Sequence, residues 1–309
     1  MIFLESFLAP YIIYLLLASA LSLGVAVGFD KLFSPGPRTR VWLYAGTLFL
    51  PFVTYIRYLM HAAYTCRVNG TVTQALICVL AARYWLLLGT ITSLLFSGYL
   101  LFRWHRLKAP GRSAAPWADP QAYARVRMLI GRLGLQREPG VFLLDTIYPL
   151  AYVKGYTRPV IYLSRGLLEI LDDQELQAVL AHEAAHIVGG DNALNLALLF
   201  KELAFFSPFT HLAYARFSQA REEAADALAA SRTGFHDALA LAIIRVMKRT
   251  HGLKYCAQLR PAESYLVRPA GPVARVRRLL DDGARHRCRY MLLVPPVFGL
   301  TLGLLFVLC

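Results

Sequence analysis

The residues best placed to do chemistry are His182-Glu183-Ala184-Ala185-His186, an H-E-x-x-H pattern. It follows Asp173 to Leu180, a run of strong helix formers. Residues four apart share one face of a helix, so His182 and His186 can present two imidazoles to one metal ion. Glu183 projects beside them, where it can take a proton from an attacking water. This is the arrangement of a zinc peptidase. Two histidines leave a catalytic zinc one protein ligand short. The segment Arg221-Glu222-Glu223-Ala224-Ala225-Asp226 supplies E-x-x-x-D in an Ala-rich helical stretch. Glu222 is the expected third ligand and Glu223 the competitor. Glu222 is preferred because its spacing to Asp226 repeats that of the two histidines. Asp226 is then positioned to accept a hydrogen bond from a ligand histidine and fix its tautomer. His211, Tyr214 and Arg221 are candidate oxyanion or substrate contacts. A solvated or lipid-phosphate-binding Arg221 is the simpler reading of that residue.

These residues sit in an unusually apolar chain. It has 309 residues, 57% of them hydrophobic, and a formal charge of +14. A soluble domain of this length is less apolar, so a membrane protein carrying one moderate soluble domain is expected. The basic residues cluster beside apolar runs and no nucleic-acid-binding motif accompanies them. Membrane topology therefore accounts for the charge, and no nucleic-acid partner is expected. Cys66, Cys78, Cys256, Cys288 and Cys309 are scattered, without a C-x-x-C pair, and read as free thiols.

Leu8 to Phe29 is long enough to cross a bilayer, lacks a basic leader, and reads as an anchor. Val41 to Met60 is a second span. A third lies within Gln74 to Phe102, most securely Tyr84 to Phe102, and Tyr290 to Leu308 is a fourth. Lys31, Arg38 and Arg40 follow the first span, and Arg103, His105, Arg106, Lys108 and Arg112 follow the third. Basic loops stay cytoplasmic. Both clusters place the two termini outside and the H-E-x-x-H segment inside. The division is a three-span membrane domain (1–105), a cytoplasmic metallopeptidase domain (106–289) and a final transmembrane helix (290–309).

Ala109 to Pro120 reads as a linker and Ala122 to Leu133 as a helix. Gly140 to Leu144, Tyr152-Val153 and Val160 to Leu163 are predicted strands, the last two joined by the turn Lys154 to Pro159. An edge strand beside the metal helix would let a peptide add as a further strand. Ser164 is positioned to cap Arg165 to Leu171, and Asp172 or Asp173 to cap the metal helix, which Gly189-Gly190 ends. Asn192 to Phe206 is apolar but interrupted by Asn195, Lys201 and Glu202, and the sequence leaves open whether it enters the membrane. Thr210 to Ser231, Phe235 to Arg249 and Val273 to Leu280 complete the predicted helices.

With these motifs in view, the chain resembles the membrane metallopeptidases of the BlaR/MecR antirepressor type. The resemblance runs from about Tyr148 to Ala230. It rests on Pro149, Gly155 and Pro159, on Ile161 to Leu168, on Glu175 to His186, on Asp191, on Phe205 to Pro208, and on Glu222 and Asp226. Val160 to His186 is also similar to HtpX-type and CAAX-protease zinc peptidases, which suggest membrane-protein quality control or processing instead. The resemblance implies a mainly α membrane protein of about four transmembrane helices. A cytoplasmic α+β, zincin-like (gluzincin) domain would lie between spans three and four. It implies a zinc metalloendopeptidase of the bacterial inner membrane, holding one Zn2+ per chain on His182, His186 and Glu222, with Glu183 as general base. Its partners would be a protein or peptide substrate and membrane lipids, in processing or signalling, with self-cleavage and a homo-oligomer both open. A non-catalytic transducer with a structural zinc site is the competing class. The family's F-N-P-x-x-W is here Phe206-Ser207-Pro208 with His211 at the Trp position, and its frequent Cys before the Asp is Ala225. No outer penicillin-binding sensor domain is expected, so antibiotic sensing is not implied.

Overall fold

The computed structural model describes residues 9–69, 98, 114–115, 119–155, 158–191, 196–254, 271–280 and 294–307. Two long helices come first, α1 (Ala9–Phe33) and α2 (Pro37–Asn69), packed against each other. Within α1, Tyr11–Phe33 is long and apolar enough to cross a membrane, and among the described residues no other helix meets that test. The expected second span lies inside α2. The expected third span lies outside the described residues apart from residue 98, as do Cys78, Cys256, Cys288 and Cys309.

A small sheet follows, of β1 (Ala114–Ala115), β2 (Gly140–Leu144), β3 (Ala151–Lys154) and β4 (Val160–Ser164), in the order β1-β2-β4-β3. Between β1 and β2 lies α3 (Pro120–Gly131), whose first turn is capped by Asp119. β3 and β4 form the antiparallel pair the sequence predicts, while β2 lies parallel to β4. Part of the expected linker is drawn into the sheet, where Ala114 and Ala115 pair with Leu144 and Leu143. Gly166 is required just after β4. A Cβ there would meet the Ile147 carbonyl oxygen at 2.1 Å, and the Gly166 N–H bonds the Thr146 carbonyl at 2.9 Å.

Helices α4 (Arg165–Ile170) and α5 (Asp173–Gly189) follow, then α6 (Leu196–Leu203), α7 (Pro208–Thr233), α8 (His236–Lys254), α9 (Pro272–Leu280) and α10 (Val294–Val307). α5 carries its start and stop in its own sequence. Asp172 and Glu175 form a reciprocal capping box, and Gly190 adopts the left-handed conformation (φ 66°) that closes the helix. α7 begins at Ser207, whose hydroxyl accepts from the Thr210 N–H, with Pro208 in its first turn, and ends at Gly234.

Two apolar clusters set the architecture. The first wraps α5: Leu176, Val179 and Leu180 meet Leu129 and Ile130 of α3, Ile161 and Leu163 of β4, and Leu239 and Ile243 of α8. The second joins α7 to the first two helices through Phe217 and Ala220, packed with Leu23, Phe29, Tyr44 and Leu48. α7 therefore belongs to both halves of the molecule. Its first half lies along α1 and α2, and its second half against α5.

Candidate metal centre and active site

The helix pair α5 and α7 brings together three of the predicted residues. His182 and His186 lie one turn apart on α5, their rings nearly perpendicular with centroids 4.7 Å apart. Their Nε2 atoms are 3.1 Å apart, and His182 Nε2 is 3.6 Å from Glu222 Oε2 of α7. Among the described residues, His182, His186 and Glu222 are the group whose ligand atoms cluster, all within 4.8 Å of one another, and all three are buried. Glu223 faces away, paired with Arg278 at 2.7 Å and Arg40 at 3.3 Å. The two glutamates are thus sorted by helix face, with Glu222 on the side that shares Asp226.

The surroundings fix which atoms face inward. His182 Nδ1 lies 2.9 Å from Asp226 Oδ1, and His186 Nδ1 lies 2.5 Å from Asp191 Oδ2. A carboxylate at each Nδ1 holds the proton there and leaves Nε2 as a lone-pair donor. Two such nitrogens and a carboxylate oxygen then converge on one point. Electron pairs that face one another need a cation between them. Tetrahedral zinc with bonds of about 2.0–2.1 Å separates its ligand atoms by roughly 3.3 Å, close to the spacing here. The donor set therefore fits a metal ion.

The same geometry governs protonation of the metal-free site. Burial lowers the His182 pKa, but hydrogen bonding to Asp226 and Glu222 outweighs it and the imidazole is pushed up to about 9. Burial raises Glu222, yet His182 and the charges of His186 and Arg275 hold it down at about 2. Asp226 is held low against burial by Arg275 and His182. A proton on His182 thus takes the place of the cation. With its pKa raised from 6.5, that proton stabilises the metal-free fold below about pH 6.5 and is lost as pH rises through about 9. Metal entry at neutral pH is expected to release it, so apparent affinity should strengthen from pH 6.5 towards 9. Calorimetry in buffers of different ionisation enthalpy measures the proton directly. A binding heat independent of buffer would contradict it.

Glu183 is buried beside His182, and its Oε1 has no hydrogen-bond partner. Burial raises its pKa, opposed by the charges of His182 and His186. A carboxylate raised towards the working pH is a better proton acceptor and a better acid in return.

The remaining predicted contacts are not at this point. His211 and Tyr214 precede Glu222 by 11 and 8 residues on α7, roughly 16 and 12 Å along the axis. His211 Nε2 instead donates to the Phe205 carbonyl at 2.7 Å, and Tyr214 sits under Lys201 Nζ, 5.1 Å from the ring centroid. Arg221 is buried, against the expectation of a solvated or lipid-facing side chain, and its Nε reaches Asp191 Oδ2 at 3.3 Å.

Three functional residues escape sequence reasoning. Asp191 carries the family resemblance with no role at the site assigned to it, and in the structure it serves His186. Asp191→Asn and Asp226→Asn are each expected to lower metal affinity about 10- to 100-fold, measured by competition with a chelator. Arg275 of α9 binds Asp226 through Nε (2.8 Å) and Nη2 (2.7 Å), and its Nη1 lies 3.1 Å from Glu222 Oε2. Arg38, in the first turn of α2, donates through Nη2 to the Gly189 carbonyl at the end of α5 (2.7 Å), with Nη1 3.9 Å from Asp191. Only Asp191 carried a local signal, five residues after His186.

The fold and site define a membrane metallopeptidase of the H-E-x-x-H type, with a buried His-His-Glu group suited to a metal ion. Residues 60–257 match the family model described as BlaR1 peptidase M56, and the chain belongs to that family. It is also similar to proteins named Protease HtpX homolog. The one from Ralstonia pickettii (strain 12J) is 28% identical over 206 residues, covering 56% of this chain and 70% of the relative. The one from Acidiphilium cryptum (strain JF-5) is 32% identical over 163 residues, covering 42% and 56%. The one from Bacillus subtilis (strain 168) is 32% identical over 107 residues, covering 33% and 36%.

Proposed function

We propose that this chain is a zinc endopeptidase that cuts a protein or peptide substrate at the cytoplasmic face of the membrane. The reading is carried by the convergence of His182, His186 and Glu222 next to a carboxylate, Glu183, whose Oε1 has no hydrogen-bond partner. A structural zinc site has no use for such a carboxylate. In this reading His182, His186 and Glu222 hold the metal. Zinc bound there supplies Lewis acidity, which activates water and stabilises the oxyanion of the scissile carbonyl. Glu183 takes a proton from the attacking water and delivers it to the leaving amine. Asp226 and Asp191 keep the imidazoles oriented while charge shifts across the site. β3 packs beside α5 and ends the sheet among the described residues, which supports a peptide lying along it as an added strand.

The same region supports the location in this reading. Arg38 and Arg40, in the basic stretch after the first span, reach the end of α5 and Glu223 of α7. A stretch that basic at the end of a span belongs on the cytoplasmic side, which supports a metal at the inner boundary of the bilayer. The four-span topology, with both termini outside, is part of this proposal. The test uses the full chain in nanodiscs. Metal content and cleavage of a peptide library are measured by mass spectrometry, with and without a chelator. The proposal expects zinc, chelator-sensitive cleavage and restoration by added zinc, and the same spectra reveal self-cleavage. Zinc without any cleavage on such a library would favour the structural-site alternative.

A further inference from the structure

A cavity of about 590 Å³ lies beside the metal centre, walled by α5, α7, α9 and the first turn of α2. His182, Glu183, His186 and Glu222 do not line it. Asp191 and Asp226, the carboxylates behind the two histidines, do. Its volume is that of a small-ligand site, for which about 300–1,000 Å³ is usual. Pro37, Val188, Leu228 and Leu279 give it apolar walls.

The charge on those walls is unbalanced. Arg38, Arg221, Arg275 and Arg278 line the cavity against Asp191, Glu223 and Asp226, and Glu223 also takes Arg40. The two buried arginines serve the metal centre: Arg275 holds Asp226 and Glu222, and Arg221 reaches Asp191. Arg38 and Arg278 are partly exposed. Arg38 gives Nη2 to the Gly189 carbonyl, but its Nη1 is 3.9 Å from Asp191, beyond hydrogen-bond reach. Arg278 meets Glu223 through Nη1 at 2.7 Å. A guanidinium carries five N–H donors, so among the described residues both keep donors to offer. The missing side chain at Gly189 leaves room for one of them, since a Cβ there would lie 2.9 Å from Arg38 Nη1.

Position selects the anion. Gly36 to Thr39, in the cavity wall, directly follow Tyr11–Phe33, the described helix able to cross a membrane. Leu32 and Phe33 at the end of that helix and Val188 at the cavity are exposed apolar side chains. Guanidiniums bind phosphate oxygens in pairs, and basic groups at the end of a span meet anionic headgroups. A phospholipid would also cover the apolar walls, which a free anion would leave against water.

We propose that this cavity is a binding site for an anionic phospholipid, whose phosphate is held by Arg38 and Arg278 and whose glycerol and first chain carbons lie on the apolar wall. Arg38 also holds the end of α5, and Arg278 holds Glu223 of α7. The lipid therefore fastens both metal-bearing helices to the bilayer surface. The proposal rests on α1 being a transmembrane span and is independent of the chemistry at the metal.

The test uses the full chain in nanodiscs of phosphatidylcholine containing a minor share of phosphatidylglycerol, with retained lipid counted by native mass spectrometry. The parent is expected to keep phosphatidylglycerol selectively. Arg38→Met and Arg278→Met should each weaken retention about tenfold, the worth of one charge-assisted hydrogen bond. Arg165→Met removes an exposed arginine of α4 outside the cavity and should change nothing. Equal loss in all three variants, or none in the first two, would overturn the site. Stabilisation of the detergent-solubilised parent by inorganic phosphate as large as that by phosphatidylglycerol would make the occupant a free anion and overturn the lipid. A photoactivatable phosphatidylglycerol, reactive beside its phosphate, tests the parent alone should a variant fail to fold. It is expected to label both Gly36 to Thr39 and Pro272–Leu280, while a form reactive at its chain end labels Ile13 and Leu17, exposed on α1. Chain-end labelling without the headgroup labels would overturn the site and leave the span. Absence of both would overturn the span and the site with it. Zinc content and peptide cleavage enter none of these readouts, so the peptidase reading stands or falls separately.

Discussion

Glu183→Gln is expected to keep one metal per chain and to lose peptide hydrolysis by about 10²- to 10⁴-fold, the usual contribution of a positioned general base. The substitution preserves shape and leaves His182, His186 and Glu222 untouched. Glu183 Oε1 makes no hydrogen bond, so an amide group at that atom breaks none. Burial disfavours the Glu183 carboxylate, so a neutral amide removes an unfavourable term and the fold should be no less stable. The loss should therefore appear in kcat with KM little changed. Metal analysis, steady-state kinetics and thermal unfolding of the same preparation separate these effects. Undiminished cleavage in a variant holding its metal would remove Glu183 from the mechanism. Loss of the metal would make Glu183 part of the binding site instead.

How much of this site was legible depends on how far apart its partners are in the chain. The H-E-x-x-H face follows from helical periodicity, and the frame of its helix from local chemistry. Asp172 and Glu175 are three residues apart, and Gly190 lies just past the last turn. Glu222 was preferred to Glu223 on spacing, and the structure places Glu222 at the histidines and Glu223 at Arg278 and Arg40. The antiparallel β3–β4 pair was also readable, because its turn is local. The parallel register of β2 with β4 was not, since nothing in either strand encodes its neighbour. The supporting arginines were equally hidden. Arg38 reaches Gly189 across 151 positions and Arg275 reaches Asp226 across 49. Positive charge beside apolar spans has a sufficient explanation in topology, and that explanation masks a second use. His211 and Tyr214 were misplaced for a related reason. Sequence proximity to Glu222 suggested proximity in space, but a straight helix carries residues 8 and 11 positions back well out of reach.

Arg275→Met is the most destructive single change expected outside the ligands. Arg275, Asp226 and Glu222 are all buried, and the guanidinium makes two bonds to Asp226 and a contact to Glu222. Removing one partner of a buried ion pair strands the other charge, at about 3–5 kcal/mol. Here two carboxylates would lose their shared cation. A bound metal supplies positive charge to the same carboxylates, so the loss should be larger in the metal-free protein than in the loaded one. The pH dependence has a definite sign. Glu222 is held at about 2, so its stabilising charge persists above its ordinary value of 4.5 and is lost only as pH falls through about 2. Without Arg275 that loss moves to milder acid, and metal binding should weaken there first. Arg275→Lys keeps the charge but not the planar fork, and should recover only part of the loss. Arg278→Met, whose side chain is 37% exposed, should cost less despite its pairing with Glu223. Thermal unfolding of the four proteins with and without zinc, across acid to neutral pH, distinguishes these expectations. If Arg275→Met matched the parent in both stability and metal affinity, α9 would not be docked on the metal centre.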